Sequence, residues 1–303
     1  LRFTGLEVLL ERAQSLGRAR VVVAAAADRQ VLEAVKMARQ AGLIDPILVG
    51  QGAGIEDLSR QIGLDLGGAE LIDEPDPVAA AHRAVDAVAA GRAHFLMKGL
   101  VNTADFLRAV LRAEDGLRSG RLLSHLAAIS VPGFNRLLFL TDGGINISPT
   151  LEQKREIMDN ALDCMHRIGM EEVKVVALSA NEVPSAKMVS STDAAALAEM
   201  GARGEFPGAV VDGPLALDGA ISAAALKHKG IKSRVNGDAD LFLVPTIEVG
   251  NAVIKSMLYF AGATFAGIIL GAKTPIVMTS RNDSPRSKLM SIAFAAVSRE
   301  AGL

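Results

Sequence analysis

The chain has 303 residues, half of them hydrophobic and 22% charged, with a formal net charge of -2. That length supports two domains, and a near-balanced charge without a dense Lys/Arg run argues against a nucleic-acid surface. Apolar runs such as Val21 to Ala27 and Ala266 to Leu270 are strand-length and too short to cross a bilayer, so they belong to a buried sheet rather than a membrane.

Glu7, Glu11 and Arg12 interrupt the early leucines, so the N-terminus lacks the pattern of a signal peptide and a cytoplasmic location is expected. Leu1 stands where a methionine would begin a product, which suggests numbering that starts inside a longer chain. Val21 to Ala27 reads as a strand, Asp28 as the cap of a helix carrying Leu32 and Val35, and Ile47 to Val49 as the next strand. Ala69 to Ile72, a helix from about Pro77 to Ala90, and His94 to Met97 continue the alternation. A parallel, doubly wound sheet follows from it.

Leu126 to Val131 and Arg136 to Thr141 are apolar strands joined by Pro132, Gly133, Phe134 and Asn135, a turn that favours an antiparallel pair. Ser148 and Pro149 open a long helix reaching Ile168, and strands follow at Val173 to Leu178, Ala209 to Val211 and Leu241 to Val244. Cys164 is the single cysteine, cannot form an internal disulfide, and lies among Ile157, Met158, Ala161 and Met165. Packing is its expected role, with a catalytic thiol as the alternative.

Polar groups recur where strands end. Lys98 and Gly99 follow one strand, with Asn102 or Thr103 placed to cap the next helix; Asp142, Gly143 and Asn146 follow another. Asn251 and Lys255 stand on the first turn of a helix expected to begin near Ala252. In the tail, Ile276, Val277 and Met278 form a strand, and Ser284 then Pro285 read as N-cap and first helical residue. Ser280 and Arg281 therefore sit between a strand's carboxyl end and a helix's positive end. A guanidinium fork, a hydroxyl and unsatisfied N–H groups suit a phosphate or acyl phosphate, the alternative being an arginine that solvates a loop. The carboxyl ends of an open α/β sheet are where such folds bind ligands.

In order along the chain, Lys98-Gly99 with Thr103, Asp142-Gly143 with Asn146 and Pro149, Asp212-Gly213-Pro214-Leu215, Gly250-Asn251 with Lys255, and Ser280-Arg281 resemble the motifs of the phosphate acetyltransferase and phosphate butyryltransferase family. The resemblance implies two α/β domains with a cleft between them, an architecture like that of isocitrate and isopropylmalate dehydrogenases. With it, the tail returns to the first sheet, giving a first domain of 1–125 plus 268–303 and an inserted second domain of 126–267. It also implies a homodimer, and it permits an N-terminal enoyl-CoA hydratase-like domain in a longer product.

The implied reaction moves an acetyl or butyryl group between coenzyme A and inorganic phosphate, with coenzyme A as substrate and no tightly bound cofactor. Direct attack in a ternary complex is expected, because the CoA thiol already supplies the nucleophile. Arg281 is the expected phosphate clamp, since its fork offers paired donors and stays charged; Ser280 donates to the oxyanion or to phosphate. Asp283 is expected either to take the thiol proton or to orient Arg281 and cap the helix. Ser287 stands where acetyl-transferring relatives carry an acid. Lys98 is expected to neutralise phosphate or the CoA pyrophosphate, or to be a solvated strand-end lysine. Asp142 and Asn146 bind substrate or close a tight glycine turn, and Asn251 contacts ligand or caps its helix. Ser124 and His125 are candidate cleft residues, though as neighbours on an extended chain they point apart and form no catalytic pair.

No metal is expected, because His82, His94, His125, His166 and His228 show no ligand spacing with one another or with Cys164. With one tyrosine and no tryptophan, an adenine pocket must use Phe, Arg faces or aliphatic walls. A nicotinamide-dependent dehydrogenase is a competing reading, weakened by the absence of G-x-G-x-x-G after the first strand. A noncatalytic CoA-binding subunit is another.

Overall fold

Val21, Val22 and Val23 have no solvent exposure and form the centre of β1 (Ala19–Ala24) in the computed structural model, which describes residues 3–280 and 283–299. The chain divides into two units. One comprises Leu6–Arg121 and the chain from Phe265 onward; the other comprises Leu122–Thr264 with the described residues ahead of Leu6.

The first unit holds α1 (Leu6–Ser15), β1, α2 (Arg29–Gln40), β2 (Ile44–Gly50), α3 (Gly52–Ile62), β3 (Glu70–Asp73), α4 (Pro77–Ala89), β4 (Phe95–Lys98) and α5 (Thr103–Val110). β10 (Thr264–Leu270), β11 (Ile276–Val277) and α11 (Pro285–Ser298) complete it. Its strands lie in the order β3-β2-β1-β4-β11-β10. All neighbours pair in parallel except β10 with β11. Fully covered parallel strands need no polar alternation, which is why β1 and β4 read as continuous apolar runs.

The chain builds outward from β1 to β2 and β3, then returns to place β4 on the other side of β1. The carboxyl ends of β1 and β4 are thus the point where the winding reverses, and such a point leaves a crevice. Asp28 caps α2 there, accepting from the Val31 N–H at 2.9 Å. At β11, Ser284 caps α11 by accepting from the Ser287 N–H at 3.2 Å, with Pro285 as the first helical residue. α11 packs on α1 and α2 and is buried continuously from Lys288 through Ser298, a core helix and not an amphipathic one.

The second unit contains β5 (Ser124–Ser130), β6 (Leu138–Thr141), α6 (Leu151–Arg167), β7 (Val173–Leu178), α7 (Val189–Ala202), β8 (Ala209–Leu215), α8 (Leu217–Ile221), α9 (Ala223–Lys229), β9 (Leu241–Leu243) and α10 (Ile247–Phe260). Its order is β5-β6-β9-β7-β8, with β5 and β6 antiparallel and the rest parallel.

Two helix starts differ from the sequence expectation. α6 opens after Thr150 and not at Ser148-Pro149, because Thr150 and Gln153 form a reciprocal capping box. α10 opens at Ile247, a turn earlier than its apolar periodicity suggests, so Asn251 is neither its cap nor on its first turn. Among the described residues no helix is long and apolar enough to cross a membrane.

Candidate active site

A small recess, open to solvent, lies at the winding reversal of the first unit. Asp28 lines it from the end of β1, Lys98, Gly99 and Leu100 from the end of β4, and Thr279 and Ser280 from the end of β11; Val31 and Lys288 close it from α2 and α11. Three adjacent strand ends and two helix N-termini therefore meet. Gly99 permits the approach of β4 to β1: a Cβ there would collide with the carbonyls of Ala24 and Ala25, which accept from the N–H groups of Gly99 and Leu100 at 2.8 Å.

Lys98 is 7% exposed, and its Nζ donates to the Gly99 carbonyl at 3.3 Å. Its charge is thus carried within the recess wall instead of waving in solvent. Ser280 is exposed, and its backbone bonds to Asp283 in both directions. The Ser280 N–H donates to Asp283 Oδ2 at 2.7 Å and the Asp283 N–H donates to the Ser280 carbonyl at 3.2 Å. Asp283 thereby holds the loop that carries Ser280. Arg281, the expected phosphate clamp, lies outside the described residues.

Sequence reasoning passed over Lys288. It is the fourth residue of α11 and only 3% exposed, yet it lines the recess. Its Nζ donates to the carbonyls of Ser280 at 2.8 Å and Asp283 at 2.7 Å, bracketing the loop. Burial pushes the Lys288 pKa below the ordinary lysine value, against the opposing pull of the Asp283 and Asp28 carboxylates. The available signal was a lysine at the mouth of the otherwise uninterrupted buried stretch from Leu289 to Val297.

Thr103 is exposed at the start of α5, where Asn102 does the capping by accepting from the Ala104 N–H at 2.8 Å. It does not line the recess.

The remaining candidates belong to the second unit. Asp142 is 2% exposed and follows β6. Its carboxylate accepts from the N–H groups of Gly144, Ile145 and Asn146 at 2.8, 2.9 and 3.3 Å, and from Asn146 Nδ2 at 2.7 Å. Asn146 Nδ2 also donates to the Leu123 carbonyl at 2.8 Å. Asp142 and Asn146 are brought together as a turn that anchors the entry to β5. Neither Gly143 nor Gly144 has positive φ, so the glycines answer close packing and not the turn's handedness.

Ser124 is 1% exposed, and its hydroxyl accepts from Asn160 Nδ2 at 3.0 Å, placing it in the interior beneath α6. His125 is 7% exposed; its carbonyl accepts from Thr141 Oγ1 at 2.8 Å and its ring lies against Gly144. Asn251 is exposed and Lys255 half-buried on α10. The preceding Gly250 is buried because α10 lies on the Asp142–Gly143 backbone there. Cys164 is wholly buried in α6. Among the described residues no group of three or more His, Cys, Asp or Glu side chains could hold a metal ion.

The family model described as Phosphate acetyl/butaryl transferase matches residues 5–80 and 77–296. The phosphate butyryltransferase of Clostridium acetobutylicum is 45% identical over 289 residues, spanning 95% of this chain and 96% of that protein. Among solved structures, a branched-chain phosphotransacylase from Enterococcus faecalis V583 superposes with a TM-score of 0.81 at 33% identity, over 92% of this chain and 98% of that one. A 4-hydroxythreonine-4-phosphate dehydrogenase from Klebsiella pneumoniae shares the fold alone, with a TM-score of 0.56 at 12% identity over 93% and 99% of the two chains. The resemblance read from the motifs and the dehydrogenase-like architecture it implied are thus both borne out, and the chain belongs to the phosphate acetyl/butyryl transferase family.

Proposed function

We propose that this enzyme transfers a short acyl group between coenzyme A and inorganic phosphate, with the Ser280 recess as its phosphate site. The observation that carries the reading is the convergence of Lys98, Ser280 and two helix N-termini at the winding reversal of the first unit. Fixed donors and a cation at one point suit a phosphoryl group. A butyryl-length or branched acyl group is the first choice, because a relative at 45% identity is a phosphate butyryltransferase and a structure at 33% identity is a branched-chain phosphotransacylase.

With acyl phosphate as donor, the CoA thiolate attacks the acyl carbonyl, the bond from carbon to the bridging oxygen breaks, and phosphate leaves as charge builds on its oxygens. Lys98 and Arg281 offset that charge, and the Ser280 hydroxyl donates to phosphate or to the tetrahedral oxyanion. Asp283 orients the loop, an assignment supported by its hydrogen bond to the Ser280 N–H. Transfer is direct, with both substrates bound at once, and CoA comes and goes as a substrate.

The test follows free thiol released from butyryl-CoA, and in parallel from acetyl-CoA, before and after phosphate is added. Phosphate-dependent release is expected, faster with butyryl-CoA. No release from either thioester contradicts the proposal.

A further inference from the structure

The reaction proposed above needs a group that takes the CoA thiol proton, and the acids beside the recess are poorly suited to it. Asp283 Oδ2 accepts from the Ser280 N–H, and Asp28 Oδ1 accepts from the Val31 N–H. Both carboxylates are thus already engaged, one in holding the loop after β11 and the other in capping α2. Ser287 shares a 3.1 Å hydrogen bond with the Ser284 hydroxyl and has no basic group.

Lys288 is different in kind. Lys288 lines the recess with Ser280, Lys98 and Asp28, and its side chain is almost wholly enclosed by protein. A neutral amine has two N–H donors and one lone pair. The carbonyls of Ser280 and Asp283 match the two donors, at 2.8 and 2.7 Å, and leave the lone pair to accept.

We propose that Lys288 is a catalytic residue, the group that takes the thiol proton of CoA and returns it in the opposite direction. With acyl phosphate as donor, the S–H bond breaks and an N–H bond forms on Nζ. The sulfur electron pair then attacks the acyl carbonyl, and phosphate departs with the electrons of the broken C–O bond. With acyl-CoA as donor, a phosphate oxygen attacks, the C–S bond breaks, and the Lys288 ammonium protonates the departing thiolate. Burial favours the neutral amine. Asp283 from its own loop and Asp28 from the segment ahead of α2 favour the ammonium, and Lys98 from β4 lines the same recess. This balance suits a group that must exist in both forms during turnover.

A purely structural Lys288 would act only by clamping the two carbonyls, and two variants separate the roles. Lys288→Arg keeps charge and donors but cannot accept a proton at working pH; Lys288→Ala leaves room for a small external amine. Both are run beside wild type in the butyryl-CoA thiol-release assay, with circular dichroism to establish folding. A fall in kcat of about a hundredfold or more is expected for Lys288→Arg, the usual scale of acid–base catalysis. Added primary amines should restore turnover to Lys288→Ala, faster as amine basicity rises. Near wild-type kcat in Lys288→Arg, or a folded Lys288→Ala indifferent to amines, overturns the inference. Wild type without thiol release overturns the proposed function and this inference together, whereas active wild type with an active arginine variant overturns the inference alone.

Discussion

A Cβ added to Gly250 would lie 2.7 Å from the Cα of Gly143, so α10 and the loop after β6 meet backbone to backbone. The same helix crowds the loop one turn further on, where a Cβ on Gly143 would meet Ile254 Cδ1 at 2.9 Å. Two motifs far apart in sequence are thus halves of one packing contact. Gly250→Ala is expected to destabilise the protein by about 1–3 kcal/mol, the range for overpacking a site that cannot give. Urea denaturation measures it as a lowered midpoint; an unchanged midpoint would mean that α10 can slide off the loop without cost.

Lys154 on α6 and Asp193 on α7 form an ion pair at 2.5 Å, with side chains 7% and 14% exposed. Removing one partner strands a buried charge, so Asp193→Ala should cost about 3–5 kcal/mol, while Lys154→Met with Asp193→Leu should recover most of it. The melting temperatures of the single and double variants check this. A double variant less stable than Asp193→Ala would contradict it.

Cys164 is wholly buried among Ile157, Ala161, Leu162 and Ile168, all of which are themselves buried. A thiol in that setting is not placed to carry an acyl group. Cys164→Ala is therefore expected to leave kcat unchanged, and initial-rate plots against both substrates should intersect. Parallel plots, or an acylated enzyme seen by mass spectrometry, would refute direct transfer.

The caps at Asp28 and Ser284 and the parallel strands are legible because each rests on local chemistry, a carboxylate or hydroxyl ahead of a helix or a covered apolar run, whereas the pair of α/β domains comes with the family resemblance. What was not legible depends on neighbours distant in sequence. Gly250 reads as a motif glycine, but its reason is Gly143 on another element. Asp142 and Asn146 read as ligand groups, and the structure shows hydrogen bonds between them that no spacing reveals. Lys288 looks like one more surface lysine until α11 proves to be buried continuously from that residue to Ser298. The start of α10 is hidden in the sequence because Ile247, Glu248 and Val249 carry a helix turn without a side-chain cap to announce it.

Under the function proposed, the loop after β11 holds the phosphate during transfer. Steady-state kinetics of Arg281→Lys against wild type, with phosphate varied at saturating butyryl-CoA, tests it most directly, with Ser280→Ala as companion. An ammonium cannot reproduce the paired donors of a guanidinium, so Arg281→Lys should lose about 2–4 kcal/mol of transition-state stabilisation, roughly a hundredfold or more in kcat. If the variant keeps near wild-type kcat and phosphate KM, the phosphate lies elsewhere and the assignment fails.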